Sequence, residues 1–252
     1  MPPISWEEIV SSRPFRFSIG PNKRQFTMHS ALVAAQSPAL AALVNNTNFK
    51  EARESHAEWE TVDEETFLAF VQHAYAGPPN APNADRTVHD QRKRKRESLF
   101  RDARPAPRKH RTQQWANFIE LIGNSVPDYY PPTLTMSRSN TRRRGANVFL
   151  RHARLYVFAD FYGISRLMDQ AFCNLGEALV TFHLSPDNVE DVIALLSYCY
   201  EDDRPARLRS MVVMYAACWA ESLWTTSSFQ KLVEEHRELS TGLLRSLLEK
   251  QD

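Results

Sequence analysis

The stretch FRFSIGPNKRQFTMHSALVAAQSPAL, residues 15–40, decides how this chain folds. Phe15, Phe17 and Ile19 alternate with polar neighbours, which is the period of a strand with one buried face. Gly20-Pro21-Asn22 supplies turn chemistry, and Phe26 and Met28 repeat the alternation in a returning strand. A helix is expected at once through Ala31, Leu32 and Ala35. Ser37-Pro38 interrupts it as the N-cap and first position of another helix, which carries Leu40, Leu43 and Val44 at i, i+3 and i+4. After a short polar loop, Trp59 to Val62 reads as a strand. The next helix begins near Asp63, with Phe67, Phe70, Val71 and Ala74 on one face and Gly77 just past its end.

Downstream the composition breaks. Between Pro78 and Gly145 stand fifteen Lys/Arg against six Asp/Glu, while the rest of the chain is net acidic, although the whole chain carries a formal charge of only +1. Arg92-Lys93-Arg94-Lys95-Arg96 forms one basic run, Arg108, Lys109 and Arg111 a second, and Arg142-Arg143-Arg144 a third. Such a segment buries too little apolar surface to offset an ordering entropy of about 1–2 kcal/mol per residue, so most of it is expected to be disordered. Trp115, Phe118, Ile119 and Ile122 are the exception, spaced i, i+3, i+4, i+7 as in an amphipathic helix. Docking on the body, binding a partner and folding only when bound all stay open for it.

From Asn147 onward the pattern is helical. Phe149, Ala153, Tyr156 and Ala159, with Leu155, Phe158 and Tyr162 beside them, make a helix apolar over most of its circumference, and Gly163 ends it. Ser165 opens another, with Leu167, Met168, Ala171, Phe172, Leu175 and Leu179 inward. Ser185-Pro186 reads as the start of a helix through Val189, Val192, Ile193 and Leu196. A further helix is expected from about Ala206 to Leu223, and one helix or a pair from Phe229 to Lys250.

Several chemistries find no footing. The seven glycines are isolated, so no phosphate-cradling loop exists, and neither a C-x-x-C pair nor H-E-x-x-H is present. The three cysteines, Cys173, Cys199 and Cys218, lie far apart in helical apolar patterns and read as buried free thiols of a reducing compartment. His29, at a strand-to-helix junction, reads as a structural hydrogen-bonding or capping residue. No catalytic, cofactor-binding or metal-ligating residue is expected. No apolar run is long enough to span a bilayer and no secretory leader is visible, so an intracellular protein, cytoplasmic or nuclear, is expected.

The order of elements resembles a BTB/POZ domain. The residues that carry the resemblance are F-x-F-x-I-G (15–20), F-T-M-H-S-A-L-V-A-A-Q-S-P-A-L (26–40) and E-E-T-F-L-A-F-V-Q-H-A-Y-A-G (64–77). His29, Ser37, Tyr75 and Gly77 match a family pattern in which a His closes the second strand, a Ser follows, and a Phe-containing helix ends in Tyr-x-Gly. V-F-L-R-H-A-R-L-Y-V-F-A-D-F-Y-G-I-S-R-L (148–167) is similar to the helical second half of such domains. There Ala153, Tyr156, Ala159, Asp160, Tyr162, Ile164 and Leu167 fall on the common A-x-x-Y-x-x-A-D-x-Y-x-I-x-x-L pattern. The helical tail resembles that of BTB proteins from filamentous fungi.

The resemblance implies an α-rich α/β (α+β) fold with a small mixed sheet. It divides the chain into an N-terminal segment (1–13), a first half-domain (14–77), a basic insert (78–145), a helical second half (146–184) and a C-terminal helical extension (185–252). It implies a non-enzymatic protein–protein interaction module, an adaptor for a cullin-type ubiquitin ligase complex. The alternative is a nuclear, transcription- or chromatin-associated regulator. It would use the basic patch Arg92, Lys93, Arg94, Lys95, Arg96, Arg108, Lys109 and Arg111 for import or nucleic-acid contact. Many dimers of the family pair an Asp near the first strand with a basic residue after the His. Here Arg13-Pro14 and Ser30 stand at those places, so self-association is expected to be weak or absent. The docking surface is expected around Leu40 to Asn48, with the helix from Asp63 to Ala76 beside it.

Overall fold

Alternating Phe15, Phe17 and Ile19 form strand β1 (Pro14–Ile19), and the turn after Gly20 folds the chain back into β2 (Arg24–His29). The two pair antiparallel, with Phe15 opposite Met28 and Phe17 opposite Phe26. Gly20 sits at φ +68°, a conformation that costs glycine nothing. A parallel strand, β3 (His56–Trp59), flanks β1 on its other side and gives the mixed order β2-β1-β3. This strand lies earlier than Trp59 to Val62 because the parallel register sets Phe17 beside Ala57 and Ile19 beside Trp59, which turns Ala57 and Trp59 into the core.

The structure, a computed structural model, describes residues 4–76, 98, 112–123, 145–202 and 204–248. The basic patch from Arg92 to Arg111 lies outside them. So do Gly77 and most of the segment expected to be disordered.

The described residues are rich in helix and form two compact units. Unit 1 takes the residues before the basic stretch together with 157–168; unit 2 takes 112–123, 145–156 and 169–248. Among these residues the division between the units falls at 156/157 and 168/169. Residues beyond 168 bury their apolar face among the C-terminal helices, with Phe172 against Tyr156 and under the guanidinium of Arg207, 4.3 Å from the ring centre.

Unit 1 adds helices α1 (Trp6–Ser11), α2 (Ser30–Ala34), α3 (Pro38–Asn45), α4 (Lys50–Glu54) and α5 (Glu64–Tyr75) to the sheet. The first lies in what reads by sequence as a plain N-terminal segment. A capping box starts it: Glu8 N–H donates to Ser5 Oγ, and Ser5 N–H donates to the Glu8 carboxylate. The short α4 replaces part of the expected polar loop and ends on Ser55 at φ 50°. The core is aromatic. Phe17 meets Trp59 and Phe67 at 4.8 and 5.2 Å between ring centres, and Trp59 meets Phe158 and Tyr162 at 5.5 and 4.6 Å.

Unit 2 is all helix among its described residues. It comprises α6 (Thr112–Gly123), the first part of α7 (Gly145–Phe161), most of α8 (Ser165–Thr181), and α9 (Val189–Tyr200), α10 (Ala206–Cys218), α11 (Ala220–Trp224), α12 (Ser227–Glu235) and α13 (Arg237–Leu248). Gly163 ends α7 at φ +66°, where Ile164 N–H reaches back to the carbonyl of Ala159. The helix start expected at Ser185 falls at Asn188 instead. Asn188 Oδ1 accepts from Ser185 N–H and its amide donates to the His183 carbonyl, which holds 183–188 in a turn. The helix expected from Ala206 to Leu223 breaks at Trp219, φ −116° and ψ 16°, into α10 and α11.

Helix α6 is part of a core. Trp115, Phe118 and Ile122 are buried; Phe118 lies 5.4 Å from the ring of Tyr215, and a Cβ on Gly176 would stand 2.8 Å from Ile122. Docking on the body is thus the outcome among the three left open for this helix. This helix lies within residues 80–140. Replacing them with a Gly/Ser linker is expected to lower stability by roughly 2–5 kcal/mol, the size of deleting one large buried side chain. A shift of the thermal or urea midpoint reads this out, and an unchanged midpoint would show that α6 adds nothing.

Candidate interaction surface

The face around α3 is assembled by local bonds at each end. Ser37 accepts from Leu40 N–H at 3.1 Å and Pro38 occupies the first turn, so the helix starts where the sequence places it. Leu40 and Val44 turn into the core, leaving Pro38 and Ala39 exposed. At the other end Arg13 donates to the Val44 carbonyl at 2.6 Å and to Ser55 Oγ at 3.0 Å. One guanidinium therefore caps the C-terminal end of α3 and ties it to the entry of β3. The exposed run Asn45 to Lys50 follows, shaped by Asn46 Oδ1 accepting from Asn48 N–H, and Phe49 is 47% exposed.

Helix α5 stands in the same unit. Asp63 caps it twice, accepting from Thr66 N–H at 2.9 Å and from Thr66 Oγ1 at 2.8 Å. Phe67, Phe70 and Ala74 are buried while Leu68 and Gln72 face outward. Its last residue, Tyr75, bonds through its hydroxyl to His29 Nδ1 at 2.9 Å, joining the end of β2 to the end of α5. His29 is also the N-cap residue of α2 but makes no side-chain cap there. Its role is the cross-link.

Several charged groups on this unit form surface pairs. Lys23 bridges Glu58 and Glu60 at 3.2 Å each, and Arg24 pairs with Glu64 while lying over the Phe26 ring. The hydrogen bond to Lys23 holds the Glu58 carboxyl below its ordinary range and, reciprocally, raises Lys23.

One pair escaped sequence reasoning: Ser18 Oγ lies 2.8 Å from His56 Nε2. The signal was the strand register, which sets Arg16 beside His56 and so brings Ser18 diagonally near it, and that register was not legible from residues 15–20 alone. Ser18 is only 4% exposed, so the pair serves as a cross-strand bond and does not present a hydroxyl to solvent.

The cysteines belong to unit 2 and are buried. Cys218 donates to the Met214 carbonyl at 3.2 Å. Burial pushes the Cys199 thiol up to about 12, against the opposing pull of Arg204 and Arg209, and pushes the Tyr200 hydroxyl up to about 12 as well. Among the described residues no group of three or more His, Cys, Asp or Glu is placed to hold a metal ion, and no helix is long and apolar enough to cross a membrane. No family model matches this chain, and no curated protein matches it.

The Cys199 environment fixes a pH dependence. The folded state keeps the thiol neutral, whereas the unfolded chain ionises near its ordinary value of 9. Above that value the unfolded state holds fewer protons, so this contribution to stability is present below about pH 9 and lost as pH rises toward 12. Urea midpoints are expected to fall from pH 8 to pH 10.5, and by less in a Cys199→Ala variant. Equal falls in the two proteins would refute the assignment.

Proposed function

We propose that this chain is a non-enzymatic protein–protein interaction module of the BTB/POZ kind, with a helical extension like that of the filamentous-fungal members. The observation that carries the reading is the element order of unit 1, a hairpin, paired helices, a parallel strand and a capped helix, cross-linked by the His29–Tyr75 bond at 2.9 Å. Those two residues are among the four, with Ser37 and Gly77, that match the family pattern in sequence. The aromatic contacts of Trp59 with Phe158 and Tyr162 add support, since they join residues from both sides of the basic stretch in one core.

The module works by presenting surface. Pro38, Ala39, the run Asn45 to Lys50 and the outer side of α5 at Leu68 and Gln72 form its docking residues, and an adaptor role for a cullin-type ubiquitin ligase follows from the family reading. Arg13 is engaged with the Val44 carbonyl and Ser55 and so is not free to serve a charge pair between copies, in keeping with weak or absent self-association.

Charge reversal at Lys50 and Glu51 tests the surface. Lys50 is exposed and pairs only loosely, at 3.8 Å, with Glu54 one turn on. Lys50→Glu with Glu51→Lys is expected to move stability by no more than about 0.5 kcal/mol, as is usual for surface substitutions. Recovery of partners on affinity purification of the tagged full chain is expected to drop at least severalfold. Undiminished recovery of the same partners sinks the assignment of this surface.

A further inference from the structure

Strand β2 is paired on one side only. In the order β2-β1-β3 it is an outer strand, and its bonds to β1 alternate along the chain. Ser30 N–H donates to the Arg13 carbonyl, whereas Arg16 N–H turns the other way, to the carbonyl of Ser55 just before β3. The register therefore aims the main-chain groups of Arg24, Phe26 and Met28 at β1 and those of Gln25, Thr27 and His29 away from it. The Tyr75 hydroxyl takes His29 N–H at 3.4 Å. Among the described residues nothing takes the N–H or C=O of Gln25 or Thr27.

Native sheets blunt an open edge with a proline, a bulge or a charge. Gln25 to Met28 holds neither a proline nor a charged residue, and the pairing with β1 runs one-to-one from Pro14–His29 to Ile19–Arg24 without a bulge. The charge at the start of the strand, Arg24, is tied to Glu64. Side chains along the edge sort by face. On the core side Phe26 is half-buried, 5.0 Å from the ring of Phe67. On the outer side Gln25 and Thr27 are exposed, and Thr27 stands opposite Arg16, which is exposed as well. Lys23, Arg24 and Lys50 of this unit meet carboxylates, and Glu58 on the outer side is held by Lys23. Arg16 meets no carboxylate among the described residues.

We propose that the outer edge of β2 takes an extended segment of another protein as a fourth strand, with an Asp or Glu of that segment facing Arg16 between two apolar residues. The open main-chain groups of Gln25 and Thr27 dictate the form, since they offer donors and acceptors at the spacing of a β ladder. Charge dictates the acid. A side chain opposite Thr27 shares the face of Arg16, and only the small Thr27 side chain lies between them. Its two neighbours point to the opposite face, where apolar side chains complete the cover of Phe26. This edge is separate from the docking residues around α3, and the inference does not rest on the family reading.

The probe is the acetylated and amidated peptide Ile-Thr-Val-Glu-Val-Thr-Ile, titrated into the isotopically labelled full chain and read by amide exchange. In the free chain the amides of Gln25 and Thr27 are expected to exchange freely, and saturating peptide is expected to slow both at least about tenfold. A peptide with Lys in place of Glu is expected to bind at least about tenfold more weakly, and Arg16→Glu should reverse that preference. Arg16 is exposed, so this variant is expected to keep its unfolding midpoint. Binding that leaves the two amides unprotected, or a preference for the Glu peptide that survives Arg16→Glu, overturns the proposal. So does protection of both amides in the dilute free chain, which would show the edge already covered. Protection that grows with chain concentration in the absence of peptide would assign the edge to a second copy and overturn the acidic partner.

Discussion

Unit 1 depends on the position of Trp59. Its ring is packed by Phe17 from β1, Phe67 and Phe70 from α5, and Phe158 and Tyr162 from the far side of the basic stretch. Aromatic pairs of this kind add about 0.5–1.5 kcal/mol each beyond the area they bury. Trp59 itself is placed by the parallel pairing of β3 with β1, which sets it beside Ile19, and by its carbonyl, which accepts from the N–H of Gly20. Strand register, turn and aromatic packing therefore support one another, and the register of β3 and the packing are not local. Residues 17, 59 and 158 meet only when the whole unit has formed, so cooperative unfolding of this unit is the natural consequence.

What could be read from the chain was whatever depends on short range. Ser37-Pro38 and Asp63 cap the helices they were expected to cap, and Gly163 ends α7 in the left-handed conformation its sequence context suggested. Phe15, Phe17, Ile19, Met28, Leu40 and Val44 are buried as their spacing required. What failed depended on contacts that apolar spacing does not reveal. The bounds of β3 follow from its register against β1, and Asn188 rather than Ser185 starts α9 because the side chain of Asn188 captures the backbone on both sides of the turn. The helix α1 was legible after all through the S-x-x-E of its capping box, but with Trp6 and Val10 exposed it offers too few buried apolar residues for periodicity to reveal it.

Candidate docking residues were legible in part. The exposure of Asn45 to Lys50 follows from a polar run between two apolar patterns. The engagement of Arg13 with α3 did not, because its partners are a backbone carbonyl and a serine some 30 to 40 residues away in the chain. This contact has a consequence for charge. In the fold the Arg13 guanidinium neutralises the negative end of a helix and is partly withdrawn from any external anion.

The apolar circumference of α7 has a physical explanation in the two units. Phe149 packs on Phe182 and Tyr156 on Phe172 within unit 2, whereas Phe158 and Tyr162, just beyond the end of the helix, pack on Trp59 within unit 1. A helix that contributes to one core needs a single apolar stripe; one whose two ends contribute to different cores needs a stripe for each. Chain entropy allows a stretch as long and as basic as residues 78–145 between α5 and α7. Closing a loop costs only about (3/2)RT ln n, so lengthening the connection adds little once Phe70 and Phe158 stand 5.3 Å apart. Within this stretch the apolar stripe of α6 is buried, with Ile122 seated in the notch at Gly176.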